Sequence, residues 1–148
     1  MRVLGIDAGE VRIGVALSDP DGVIASPLAT VPAGGDAAER LAGLAREHGC
    51  ALAVVGLPKG MSGRDTASTQ MARRLAKSLG ELGLDVTLWD ERLSSAQAER
   101  VLLGAGRRRD QRRAERDRVA AAIILQSWLD AHGGAGGAAG PSGTEEPS

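Results

Sequence analysis

Hydrophobic and polar residues alternate through the opening of the chain. Over 12–18, Ile13, Val15 and Leu17 share one face, while Gly14, Ala16 and Ser18 share the other. A period of two is the mark of a strand. The small face leaves room for a helix or another strand to come close. Residues 2–7, with Val3, Leu4 and Ile6, predict a preceding strand, and 8–11 a tight glycine-containing turn. Residues 23–31 predict a third strand, which Pro27 restricts to a sheet edge or a bent piece. Three strands with short links predict an antiparallel meander.

From residue 36 the period changes. Asp36 with Glu39 reads as a capping box opening a helix to about His48, with Leu41, Leu44 and Ala45 on its stripe. Residues 51–57 are nearly all apolar, as a strand buried on both faces requires. Residues 61–83 predict a long amphipathic helix carrying Met71, Leu75, Leu79 and Leu82. A short strand follows at 85–90, then a helix capped by Ser94 or Ser95 through Leu103, a loop at 104–113, and a last helix at 116–131 stopped by Gly133 and Gly134. This order predicts an α/β fold: a five-stranded mixed sheet, its first three strands antiparallel, flanked by helices. Residues 1–132 make one domain. Residues 133–148 hold six Gly, two Pro and two Glu and are expected to be a disordered tail.

Composition narrows the chemistry. Eighteen basic against 19 acidic residues leave a net charge of −1, which excludes a uniform basic coat but not a local basic patch. Trp89 and Trp128 are the only aromatic residues, which excludes a base-stacking platform. A single cysteine, Cys50, excludes a disulfide framework and a paired-cysteine zinc site. The chain has no run of 18 apolar residues and no signal-peptide layout. A cytoplasmic protein with no membrane partner is the expectation.

Acidic residues then stand out by position. Asp7 ends the first strand and is followed by Gly9; Asp90 and Glu91 end the fifth; Asp117 falls near the start of the last helix. Asp117 lies in line with Ala120, Ala121 and Ile124, a small apolar face that must pack on the sheet. Each has an ordinary explanation alone: a turn former, a helix-dipole partner, a mate for Arg92. Together they sit where strand ends of an open α/β sheet make a cleft. Seven arginines crowd 107–118, among them Arg107, Arg108, Arg109, Arg112 and Arg113. Directly before Asp117 they suit phosphate contacts beside a reacting site. Arg12, near the turn after Asp7, can contact phosphate or pair with a carboxylate. Lys59, in the loop after the buried strand, is a weaker phosphate candidate. His48 and His132 lie at helix ends and read as surface residues.

The strings LGIDAGEVRIGVALSD (4–19), VVGLPKGMSG (54–63), DERLSSAQA (90–98) and DRVAAAIILQSWLD (117–130) resemble the YqgF/RuvX family, pre-16S rRNA nucleases related to RuvC resolvase. The resemblance spans 2–131 and implies an RNase H-like fold. It implies that Asp7, Glu91 and Asp117 are catalytic and hold Mg²⁺ or Mn²⁺. Neighbours on an extended segment point to opposite sides, so Asp90 is expected behind Glu91, with Gly9 beside Asp7. Hard oxygen ligands suit such ions, and two of them about 3.5–4 Å apart can clamp a phosphodiester and activate water. The expected activity is metal-dependent endonuclease cleavage at the 5′ end of pre-16S rRNA. The partners are then nucleic acid and a ribosomal precursor particle, and the protein a monomer or homodimer. The alternatives are a Holliday-junction resolvase and a nucleic-acid-binding protein of the same fold with weak catalysis. An actin-like phosphotransferase shares the strand-turn-strand start but needs a second domain, which 148 residues do not hold. The sequence departs from the family in the loop Gly60-Met61-Ser62-Gly63, which lacks an acid common there, and in Ser95, where threonine is usual.

Overall fold

A computed structural model describes residues 2–58, 66–91 and 109–132, with backbone alone for 109–115. Strands β1 (Arg2–Ala8), β2 (Arg12–Ser18), β3 (Ala25–Pro32), β4 (Cys50–Leu57) and β5 (Asp85–Asp90) form one sheet. Helices α1 (Ala37–Glu47), α2 (Ala67–Glu81) and α3 (Arg109–Ala131) cover it. The strand order is β3-β2-β1-β4-β5. β1–β2 and β2–β3 pair antiparallel; β1–β4 and β4–β5 pair parallel. The mixed sheet with an antiparallel opening is the one read from the sequence. Pro27 sits on edge strand β3, where the ladder to β2 shifts register between Val15 and Ala16. The edge and the irregularity accommodate a residue with no N–H to donate.

The two faces of the sheet are built differently. Leu4, Ile6, Ile13, Val15, Ala53 and Val55 pack with Leu41 of α1 and Leu79 of α2, all buried. The opposite face is floored by small residues, and α3 lies on it. Ala121, Ala122, Ile124, Leu125 and Leu129 pack there with Val3, Ala16 and Val54. A Cβ at Gly5 would come within 2.7 Å of Leu125 Cβ, and one at Gly14 would overlap the Asp117 carbonyl oxygen. The helix approaches this closely because the strand has no side chain at those points. Two polar side chains pin α3 across the sheet. Gln126 bonds both Ala25 N–H (2.9 Å) and the Val23 carbonyl (2.9 Å), and Ser127 accepts from Trp89 Nε1 (3.1 Å). Both tryptophans therefore serve packing, Trp128 by stacking on His132 at 4.3 Å between ring centroids.

Three local expectations are corrected. Asp36 precedes α1 but caps no backbone N–H; its Oδ2 accepts from Arg40 Nε instead, at 2.8 Å. That exposed ion pair one turn away takes the carboxylate that the capping box needs. The helix expected at 61–83 begins at Ala67, where Thr66 and Thr69 form the capping box. Thr69 Oγ1 also donates to the Pro58 carbonyl at 2.6 Å, tying the start of α2 to the end of β4. The last helix begins at Arg109, not 116, so part of the expected loop at 104–113 is helical. Asp117 therefore lies two turns inside the helix rather than at its start. The helix expected from Ser94 or Ser95 to Leu103, the loop 60–63 and the tail 133–148 lie outside the described residues. Among the described residues no helix is long and apolar enough to cross a membrane.

The approach of α3 to β2 makes position 14 sensitive. Gly14→Ala is expected to lower stability by about 2–3 kcal/mol, as overpacking against backbone does. Gly80→Ala, in an exposed part of α2 with open space around it, is expected to be neutral or slightly stabilising. Urea unfolding of the two variants checks this; equal midpoints would show that α3 yields freely.

Candidate metal-binding carboxylate site

β1, β4 and β5 run parallel, so their carboxyl ends gather at one edge of the sheet. Asp7 is the penultimate residue of β1 and pairs across to Gly14 of β2. Asp117 enters from α3, and its backbone lies over Gly14. Glu91 follows β5 directly and comes over Gly56 of β4; a Cβ there would sit 3.0 Å from Glu91 Cγ and 2.7 Å from Ile124 Cδ1. Three elements thus bring three carboxylates to one end of the sheet. The bare positions Gly14 and Gly56 supply the room. Gly14 was marked within the small face of the second strand; Gly56 carried no signal beyond its place in an apolar run.

Asp7 keeps some contact with solvent, yet the protein packed around its carboxyl makes ionisation costly. That burial, then the charge of Glu91, a hydrogen bond shared with Glu91, and the charge of Asp117 push its pKa up to about 8. Glu91 is also raised, by burial first; its bond with Asp7 works the other way, and the charge of Asp90 raises it again. The shared bond favours the proton on Asp7. Asp90 thus bears on Glu91 through its charge. Asp117 meets a different cation: Arg12 Nε donates to its Oδ2 at 2.8 Å. Arg12 is carried there by the turn after β1, which is tight enough that a Cβ at Gly9 would overlap the Arg12 carbonyl oxygen.

Among the described residues no three acidic, histidine or cysteine side chains stand as a finished metal cage. Asp7 and Glu91 are joined to each other, while Asp117 is engaged by Arg12. The donor set nevertheless suits a hard divalent cation. Such ions accept one or two protein carboxylates and complete their shell with water and substrate phosphate. Arg109, Arg112 and Arg113 lie on the helical backbone that leads to Asp117. Lys59, Arg107 and Arg108 lie outside the described residues. His48 is partly buried beside the C-terminus of α1, and His132 is exposed after α3. The Thr66–Thr69 pair was missed because the helix was expected to start earlier.

A family profile described as RuvX, Holliday junction resolvase, matches residues 1–131. A protein of Pelotomaculum thermopropionicum is 43% identical, the match covering 99% of this chain and all of that one. One of Lactococcus lactis is 41% identical over 88% of this chain and 95% of the other, and one of Myxococcus xanthus 44% over 89% of each. All three are named "Putative pre-16S rRNA nuclease". Among solved structures, Thermus thermophilus RuvC in complex with a Holliday junction superposes with a TM-score of 0.59 at 15% identity, covering 90% of this chain and 98% of that one. The fowlpox virus resolvase with its junction DNA gives 0.54 at 10% identity over 88% and 98%. These likenesses establish the fold as RNase H-like.

A raised carboxyl pKa has a definite sign in stability. Between the ordinary aspartate value of 3.8 and about 8, folded Asp7 holds a proton that the unfolded chain has shed. Its contribution is therefore largest below the ordinary value and is lost as pH rises through about 8. In EDTA, wild type is expected to melt below Asp7→Asn by a margin that is small at pH 5 and widens as pH rises. At pH 8.5 wild type is expected to melt about 5 °C or more below the variant. Tm-against-pH curves that run parallel would show that Asp7 ionises normally.

Proposed function

The chain belongs to the RuvX family, and from that premise and the carboxylate cluster we propose that it is a metal-dependent nuclease cutting phosphodiester bonds in structured nucleic acid. The observation that carries this reading is the arrival of Asp7, Glu91 and Asp117 from β1, the end of β5 and α3 at one end of the sheet. Asp7, Glu91 and Asp117 would hold Mg²⁺ or Mn²⁺, which suits an all-oxygen donor set. Bound there, two such ions supply the charge that activates water and steadies the leaving oxygen. Asp7 and Glu91 can give up their shared proton when a stronger cation replaces it. Asp90 raises the basicity of Glu91 through its charge. Gly9 shapes the turn that presents Arg12. Arg12 and the arginines at 107, 108, 109, 112 and 113, with Lys59, are read as contacts to the phosphates that flank the cut.

The favoured substrate is the 5′ region of pre-16S rRNA within a ribosomal precursor particle, in the cytoplasm. Its support is the name shared by relatives 41–44% identical over most of the chain. A four-way DNA junction is the second reading, favoured by the family's description. Two tryptophans, both used in packing, leave phosphate and shape as the means of recognition.

Cleavage of a pre-16S leader RNA and of a four-way DNA junction, side by side in Mg²⁺ and Mn²⁺, separates the two substrates. Asp7→Asn, Glu91→Gln and Asp117→Asn are each expected to lower the rate by about a hundredfold or more, the scale of losing a positioned catalytic group. Undiminished cutting by all three would refute the site. Neutralising Arg107, Arg108 and Arg109 together is expected to weaken binding to every sequence and to flatten its salt dependence. An unchanged salt slope would make these arginines bystanders.

A further inference from the structure

Among the described residues, Arg12 is the cation seen on the carboxylate cluster, through Asp117. It reaches Asp117 through a single nitrogen, Nε, at 2.8 Å. Both side chains remain open to solvent, at 35% and 27% of full exposure. An ion pair this wet is weak and exchanges cheaply. A guanidinium is also the side chain best shaped to grip a phosphodiester through two parallel N–H bonds. Asp117 already acts on Asp7 through its charge. A phosphate that draws Arg12 away therefore adds the Asp117 carboxylate, at full strength, to the cluster of Asp7 and Glu91.

Resting on the nuclease reading above, we propose that Arg12 is a positioning residue with two alternating partners. It holds Asp117 in the nucleic-acid-free protein and passes to a backbone phosphate when nucleic acid binds. The exchange delivers Asp117 to the cluster only when substrate is present. Nucleic acid and divalent cation then bind with positive coupling, and by linkage each tightens the other by the same factor. The tight turn at Gly9 and the close seat of α3 on Gly14 set Arg12 and Asp117 within reach of each other.

The test begins without metal, so that it judges Arg12 independently of the metal reading. The probe is an RNA hairpin with a 2′-O-methyl phosphorothioate backbone, titrated in EDTA at fixed salt. Asp117→Asn is expected to tighten binding about fivefold or more, because Arg12 no longer has to leave a carboxylate. In an Arg12→Gln background the same substitution is expected to change binding less than about twofold. Equal tightening in both backgrounds would mean simple charge removal and would overturn the proposal, as would no tightening in either. A second arm reads free Mn²⁺ by electron paramagnetic resonance. Wild type is expected to bind Mn²⁺ more tightly with the hairpin present, and Arg12→Gln to bind it well without the hairpin and gain little from it. A hairpin-induced gain that survives intact in Arg12→Gln would also count against the exchange. If instead Asp7→Asn leaves Mn²⁺ affinity untouched, the metal reading of the cluster fails, while the EDTA comparison still decides the role of Arg12.

Discussion

The site depends on how closely α3 can lie on β2. The Asp117 carbonyl occupies the space that a side chain at position 14 would fill, and Gly14 pairs directly with Asp7. A helix normally stands off a sheet by the thickness of the side chains between them. Here the missing side chain lets backbone meet backbone, and Asp117 is carried onto β2 beside the strand that bears Asp7. Gly5 beneath Leu125 and Gly56 beneath Ile124 continue the same floor. Gln126 and Ser127 fasten the helix at opposite edges of the sheet, so it cannot slide to relieve the contact.

That closeness sets the electrostatics. Three carboxylates drawn together repel, and around Asp7 and Glu91 the surrounding protein also limits hydration, so such groups are tolerated only when neutralised or paired. Among the described residues, two kinds of positive charge answer this. Burial and the neighbouring charges of Glu91 and Asp117 favour a proton on Asp7, and a guanidinium sits on Asp117. Both can be displaced, the proton by a stronger charge and Arg12 by a phosphate. A site that a divalent ion would relieve is thus kept foldable without one. The fold's stability and its proposed chemistry meet in the same few residues.

Much of the architecture was legible because it follows from periodicity. The bounds of β2 and β5 were read to the residue, from strict alternation in one and a short run between turns in the other. Pro27 marked an edge strand through its missing donor. The misreadings share a cause: competition between local partners. Asp36 could cap α1 or pair with Arg40, and sequence spacing allows both. The arginine-rich stretch from 109 reads as a loop by its charge, yet it continues a helix whose apolar residues begin later and anchor it. In such stretches tertiary packing outweighs local preference.

The order of residues by itself determined the element types, the mixed sheet, the small face of the second strand and the candidacy of Asp7, Asp117 and the Asp90–Glu91 pair, with the family resemblance favouring Glu91. Those follow from side-chain period, turn chemistry and the few acids placed at element ends. Only the tertiary structure decided that Asp7 bonds Glu91, that Asp117 belongs to Arg12, and that Asp117 stands two turns inside its helix. These are relations between residues up to 105 positions apart. They depend on how far one backbone can approach another, which is a property of packed surfaces and not of any local run of sequence.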